Sequence, residues 1–199
     1  MRTLLIDNND SFTENLAQLI RSLGAKCEVI SSAKLTVQKV KKIRPDHIVL
    51  SAGPGHPKDA RLSNEILHNF QLSTFNFPLR ILGVCLGHQC IAHVFGGRSF
   101  VGHAPAIHHG KTSEIFHDGT SILKGLPSPF LAARYHSLIV KKLPKDFELL
   151  CWTGSQKTPE LIMGMKHKTL PIVGVQFHPE SFLTEHGERL MKNFLFKAL

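Results

Sequence analysis

Cys85 stands out for its neighbours. The stretch Gly83-Val84-Cys85-Leu86-Gly87 sets glycines two residues to either side of it. That spacing has the form of the nucleophile elbow G-x-S-x-G, with sulfur in place of oxygen. In such an elbow a strand turns into a helix so tightly that the central residue is strained. Side chains two positions away would then collide, which is why glycine is needed at both. The turn also leaves Cys85 at a helix N-terminus, where free N–H groups and the helix dipole favour thiolate over thiol. The N–H of Leu86 points to where an oxyanion would form on a carbonyl under attack. The chemistry expected is acyl transfer to sulfur. Cys27, Cys90 and Cys151 lack this setting and read as buried packing thiols. The scatter of the four cysteines gives no disulfide framework and fits a reducing compartment.

A cysteine nucleophile works with a histidine, which an acid in turn orients. There are thirteen histidines, so nearness in sequence decides little. The stretch IVGVQFHPE singles one out: an apolar strand from Ile172 to Phe177 delivers His178 at its carboxyl end. Pro179 keeps the chain extended, and residues two apart in extended chain point the same way, so Glu180 can accept from a ring nitrogen of His178. His178 would deprotonate Cys85, protonate the leaving group and later activate water. A metal site is the competing reading, with Cys85-x-x-His88 and the bunched His103, His108 and His109. No second C-x-x-C or H-x-x-x-H completes a ligand set, so no metal is expected. A third feature, SAGPGHP from Ser51 to Pro57, exposes backbone N–H groups around Gly53-Pro54-Gly55. Such a loop can supply a second oxyanion donor or grip a substrate backbone.

These residues need a scaffold that brings strand ends together. Thr3–Ile6 reads as a buried strand, and Ser11 with Glu14 as a capping box opening a helix that Gly24 stops. KCEVIS is a second strand, Val37–Ile43 a helix broken by Pro45, and HIVLSAG a third strand. Asp59–Phe70 is helical, LRILGVC a strand, and Gly87–Phe95 a helix closed by Gly96 and Gly97. This alternation predicts an α/β fold: a doubly wound, mostly parallel sheet with helices on both faces, its working residues at the carboxyl strand ends. From Ser99 the pattern shifts to short β-like pieces, KTSEIFHD, FLAARYHSLIV, FELLCWT, LIMGMKH and IVGVQF, and additional short antiparallel strands are expected in this half. A last helix is expected over Glu185–Leu199. The 199 residues show no linker or repeat, and one domain spanning 1–199 is expected.

The formal charge is +9. The basic residues are dispersed, densest at Lys39, Lys41, Lys42 and Arg44, and no aromatics interleave with them, so no nucleic acid partner is expected. An acidic protein partner or a solvated surface suits this charge better. No apolar run reaches the ~18 residues of a membrane span, and the N-terminus has no signal-peptide core. A cytoplasmic protein is the expectation.

With these residues in place the sequence resembles the class I, triad-type glutamine amidotransferases. It is most similar to the glutaminase subunits (component II) of anthranilate and aminodeoxychorismate synthases. The resemblance runs through DNNDSFTENLAQ, SAGPGHP, GVCLGHQ, FGG, HGKTS, RYHSLIV and GVQFHPESFLTEHG, nearly the whole chain. It implies Cys85 as nucleophile, His178 as base and Glu180 as its partner. Gly55 and Leu86 would form the oxyanion hole, and Gly53, Pro54, Gly55, Gln89, Ser137 and Leu138 would bind glutamine. It further implies hydrolysis of glutamine through a cysteinyl thioester, ammonia delivery to a chorismate-binding synthase subunit, and no cofactor on this chain. DNNDSFT and His109-Gly110-Lys111 resemble segments that face that subunit. Ala52 stands where the family usually has proline, and APAIHHGK departs from its usual run. Both departures bear on partner fit or loop stiffness and not on the triad.

Overall fold

The computed structural model describes residues 1–197. The N-terminal half alternates strictly: β1 (Arg2–Asp7), α1 (Thr13–Ser22), β2 (Lys26–Ser31), α2 (Val37–Ile43), β3 (His47–Leu50), α3 (Arg61–Gln71), β4 (Arg80–Val84) and α4 (Leu86–Gly96). Strands then dominate, as β5 (Val101–His103), β6 (Lys111–His117), β7 (Phe130–Arg134), β8 (Leu138–Val140), β9 (Phe147–Gly154), β10 (Pro159–His167) and β11 (Ile172–Val175), before α5 (Gly187–Phe196). One sheet holds nine strands in the order β2-β1-β3-β4-β11-β10-β9-β6-β7. The first five are parallel and the rest antiparallel, and β5 pairs separately with β8.

Alternation along the buried strands sorts their side chains to two faces. Leu5, Val49, Leu82 and Val173 face α1 and α5, meeting Leu16, Ile20, Leu190 and Phe194. Leu4, Ile6, Ile48 and Ile81 face the other way, toward Val40 of α2, Ile66 of α3 and Ile91 of α4. The expected helices on both faces are therefore present, and the antiparallel strands extend the parallel half.

Three local expectations are corrected. Ser11 and Glu14 form no capping box: α1 starts at Thr13 with no side-chain cap. The carboxylate of Asp7 at the end of β1 takes that place, accepting from the Asp10 N–H (3.1 Å) and the Thr13 hydroxyl (2.9 Å). FLAARYHSLIV is not one strand. It breaks after Arg134, because the carbonyls of Arg134, His136 and Ser137 accept from Gly110, His108 and Ala104 of the preceding loop. The last helix starts at Gly187, since Glu185 is held to the edge of β7 through both its N–H and its carboxylate. Residues 198 and 199, placed in that helix from sequence, lie outside the described residues. Among the described residues no helix is long and apolar enough to cross a membrane.

Burial also holds several histidines neutral. Burial pushes His47 down to about 4 and His88 and His136 down to about 3, with neighbouring Arg80 and Arg134 adding to the shift at His47 and His136. A depressed folded pKa means that the unfolded chain binds the proton first as pH falls below its ordinary value of about 6.5. Stability is therefore whole above that value and is lost toward the folded pKa, at up to about 1.4 kcal/mol per pH unit for each ring. Denaturant unfolding at pH 5 is expected to take up at least about three protons. An uptake near zero would contradict the burial of these rings.

Candidate active site

The strand order explains how residues far apart in sequence meet. β3, β4 and β11 are consecutive neighbours in the sheet, all parallel. Their carboxyl ends carry the Gly53-Pro54-Gly55 loop, Cys85 and the chain leading to His178. The Cys85 N–H donates to the Val175 carbonyl (2.8 Å), tying the elbow to the end of β11.

Cys85 adopts φ 52, ψ −100, in the positive-φ region that a side chain rarely occupies. The flanking glycines are needed for clearance, though each against a different neighbour. A Cβ on Gly83 would lie 2.5 Å from the Gly87 backbone, whereas one on Gly87 would fall on the Leu50 carbonyl oxygen of β3. The second glycine therefore seats the helix on the sheet. Leu86 is the first residue of α4, so its N–H has no intrahelical acceptor. Its side chain turns away to a separate cavity of about 380 Å³ beside Asn8 and His56.

Beside Cys85 lies a cavity of about 160 Å³ lined by Gly53, Pro54, Gly55, Gln89, Ser137 and Leu138, with Tyr135 and His136. Gly55 takes φ +85, and Gly53 has no room for a Cβ, which would lie 2.5 Å from the Asn8 carbonyl. Every residue expected to bind substrate thus borders one small space that opens on the sulfur.

His178 is buried and shares a 2.6 Å hydrogen bond between Nδ1 and Glu180 Oε1. The pairing expected between residues two apart is present, but its cause differs. β11 ends at Val175, and Pro179 and Glu180 form a turn in which the His178 carbonyl accepts from Ser181 N–H and the Thr184 hydroxyl (2.6 Å). Gly187 allows α5 to press on this turn, because a Cβ there would strike the Pro179 carbonyl. The Tyr135 ring stands edge-on to the imidazole at 5.1 Å, and Phe12 packs on Tyr135 at 5.5 Å. Nε2 is buried with no partner in hydrogen-bonding geometry among the described residues. Burial opposes charging this ring, yet the neighbouring Cys85 sulfur and the Glu180 carboxylate outweigh it and raise its pKa to about 11. The arrangement holds a proton on the imidazole beside the sulfur, the state a thiolate nucleophile requires.

Gln176 belongs to the site although the sequence alone assigns it no role within GVQFHPE. Its Nε2 donates to Cys85 Sγ at 3.5 Å and its Oε1 accepts from Gln89 Nε2 at 3.1 Å. An amide inside the apolar run IVGVQF is the signal that could have found it, since a buried amide needs partners. Gln176→Leu removes the donor to sulfur and frees Gln89. Glutamine turnover is expected to fall about tenfold with little change in melting temperature, read by steady-state kinetics. His88, by contrast, is fully buried behind Gly174 and does not line the cavity.

Parallel strand ends carrying a thiol elbow, a His–Glu pair and a glycine loop define a cysteine-nucleophile type of site. The profile of the class-I glutamine amidotransferases matches residues 4–198, and the chain belongs to that family. It is 46% identical to anthranilate synthase component 2 of Methanocaldococcus jannaschii, over 98% of this chain and 96% of that one. It is 45% identical to the aminodeoxychorismate/anthranilate synthase component 2 of Bacillus subtilis, over 96% and 94%. Its fold matches the crystal structure of a Thermoplasma acidophilum protein described as a subunit of GMP synthase. The TM-score is 0.80, with 26% identity over 98% of this chain and 92% of that one. The chain is thus an enzyme subunit of the anthranilate synthase component 2 type.

Proposed function

We propose that this chain hydrolyses glutamine and passes the ammonia to a chorismate-binding synthase subunit. The observation that carries the reading is the convergence of Cys85, His178–Glu180 and the Gly53–Gly55 loop on three neighbouring strand ends.

Cys85 thiolate attacks the carboxamide carbon of glutamine, and the oxyanion is held by the N–H groups of Leu86 and Gly55. The C–N bond breaks as His178 Nε2 gives its proton to the departing nitrogen, leaving ammonia and a γ-glutamyl thioester. A water then loses a proton to His178 and attacks the thioester. Glutamate leaves, and the thiolate is restored beside the imidazolium. Glu180 keeps Nδ1 protonated throughout, so that Nε2 faces the reaction. Gln89 and the Ser137–Leu138 backbone hold the substrate. No step draws on a cofactor of this chain.

The face around His178 supports a covering partner. Phe182 and Ile107 are 93% and 75% exposed, and Phe12 is also exposed beside the triad. Apolar side chains of this size left in water at a site mark a protein contact. Their neighbours His109 and Lys111 suit an acidic partner surface. The relatives' names join anthranilate and aminodeoxychorismate synthesis, so the partner sets the product, for tryptophan or for folate, in the cytoplasm.

Co-purification with the synthase subunit, followed by incubation with chorismate and glutamine, tests this. Anthranilate or aminodeoxychorismate is expected, made with nitrogen from the glutamine amide. Glutamine hydrolysis that the synthase subunit neither captures nor speeds would favour a stand-alone γ-glutamyl hydrolase.

A further inference from the structure

Arg134, at the end of β7, is a cation only 3% exposed, and its Nη2 has no partner among the described residues. Its Nε donates to His136 Nε2 at 3.0 Å, and its Nη1 donates to the Ser113 hydroxyl of β6 at 2.9 Å. A guanidinium has donors only, so His136 Nε2 must be the acceptor and the ring proton must sit on Nδ1. Nδ1 then donates to the Leu138 carbonyl at 3.0 Å. That carbonyl also accepts from Gln89 Nε2 at 2.9 Å. His136, Ser137, Leu138 and Gln89 all line the cavity beside Cys85.

The opposite tautomer would aim a ring lone pair at the Leu138 carbonyl and give Arg134 nothing to bond. The guanidinium and the Leu138 carbonyl therefore hold the same tautomer from the two sides of a ring that lines the cavity wall. The same wall is pinned from outside by the loop before β6, where Ala104 N–H donates to Ser137 (2.8 Å) and His108 N–H to His136 (3.1 Å). Without the Arg134 bond the His136 ring keeps its Nδ1 contact to Leu138 and loses the partner that anchors its opposite nitrogen.

We propose that Arg134 is a positioning residue for glutamine binding, fixing the His136 tautomer and, through the Leu138 carbonyl, the Ser137–Leu138 wall. This rests on that cavity being the glutamine site. Lysine cannot replace it, because only the planar fork reaches His136 and Ser113 at once.

The test pairs the full chain with its synthase partner and compares Arg134→Met, His136→Asn and the double variant. Asparagine keeps an N–H toward Leu138 but offers Arg134 no ring acceptor. Arg134→Met is expected to raise the glutamine KM about tenfold and to change kcat by less than about threefold. In the His136→Asn background the same substitution is expected to add less than about twofold. An equal KM rise in both backgrounds, or a fall in kcat with KM unchanged, overturns the proposal. Should Arg134→Met fail to fold, Arg134→Lys is read instead. It retains the charge and loses the fork, so an unchanged KM there overturns the proposal equally. Wild-type turnover is the control for the underlying reading. A wild type that releases no ammonia sinks the glutaminase function, whereas an active wild type with indifferent Arg134 variants sinks only the positioning role.

Discussion

Cys85→Ala is expected to lower ammonia release from glutamine by at least about 10⁴-fold while leaving the fold intact. In the proposed mechanism the sulfur is the atom that forms the acyl bond. What survives is binding and oxyanion stabilisation without a nucleophile. Cys85→Ser is expected to fall nearly as far, because an imidazolium poised beside a thiolate does not make an alkoxide from a hydroxyl. The internal control lies five residues on. Cys90 is fully buried within α4, and burial pushes its thiol far above the ordinary range. Cys90→Ala should therefore leave the rate within about twofold, at a stability cost of roughly 1 kcal/mol for the small cavity. Turnover and thermal unfolding measured on the same preparations separate the two cysteines. Unaltered ammonia release from Cys85→Ala would end the enzymatic account.

Gly87→Ala is expected to be severely damaging. The added methyl would strike the Leu50 carbonyl oxygen, a backbone atom that cannot rotate away. Either α4 lifts from β3, carrying Cys85 off its register with Val175, or the protein unfolds. A loss of about 3 kcal/mol or more is expected, with glutaminase activity lost alongside it. Gly24→Ala provides the contrast. Gly24 has positive φ, at +85, which Gly87 does not, and a Cβ there meets nothing within 4 Å. It should cost only the conformational penalty of about 1–2 kcal/mol and spare activity. Equal effects from the two substitutions would contradict the seating of α4 on β3 through Gly87.

The contrast between these glycines shows what was legible in the chain. Gly83 and Gly87 could be read as a matched pair because an elbow repeats at fixed spacing. That Gly87 answers to β3, and not to Gly83, depends on strand order, which spacing does not encode. The convergence of Cys85 and His178 was readable as two strand ends on one sheet edge. Their direct adjacency needed β11 to pair with β4 across nearly half the chain's length, a pairing no local pattern announces. Glu180 was paired with His178 from an extended-chain rule that does not operate there. A turn, fastened by Ser181 and Thr184, delivers the carboxylate instead. Gln176, His136 and Arg134 escaped notice because apolar periodicity marks what is buried and is silent on which polar groups are buried with it. Ser11 misled for the opposite reason. A local capping pattern was present, and a carboxylate from the neighbouring strand end satisfied the loop first.

The central claim is that glutamine becomes bound to Cys85 through its γ-carbonyl. Acid-quenching the wild-type protein during steady-state turnover, with its synthase subunit present, and mapping the quenched chain by peptide mass spectrometry addresses this directly. One glutamyl group is expected on the peptide carrying Cys85. It should be absent in Cys85→Ala and should accumulate when Glu180→Gln slows the water step. Ammonia release at the wild-type rate from Cys85→Ala, or a glutamyl group found on Cys90 instead, would contradict the account.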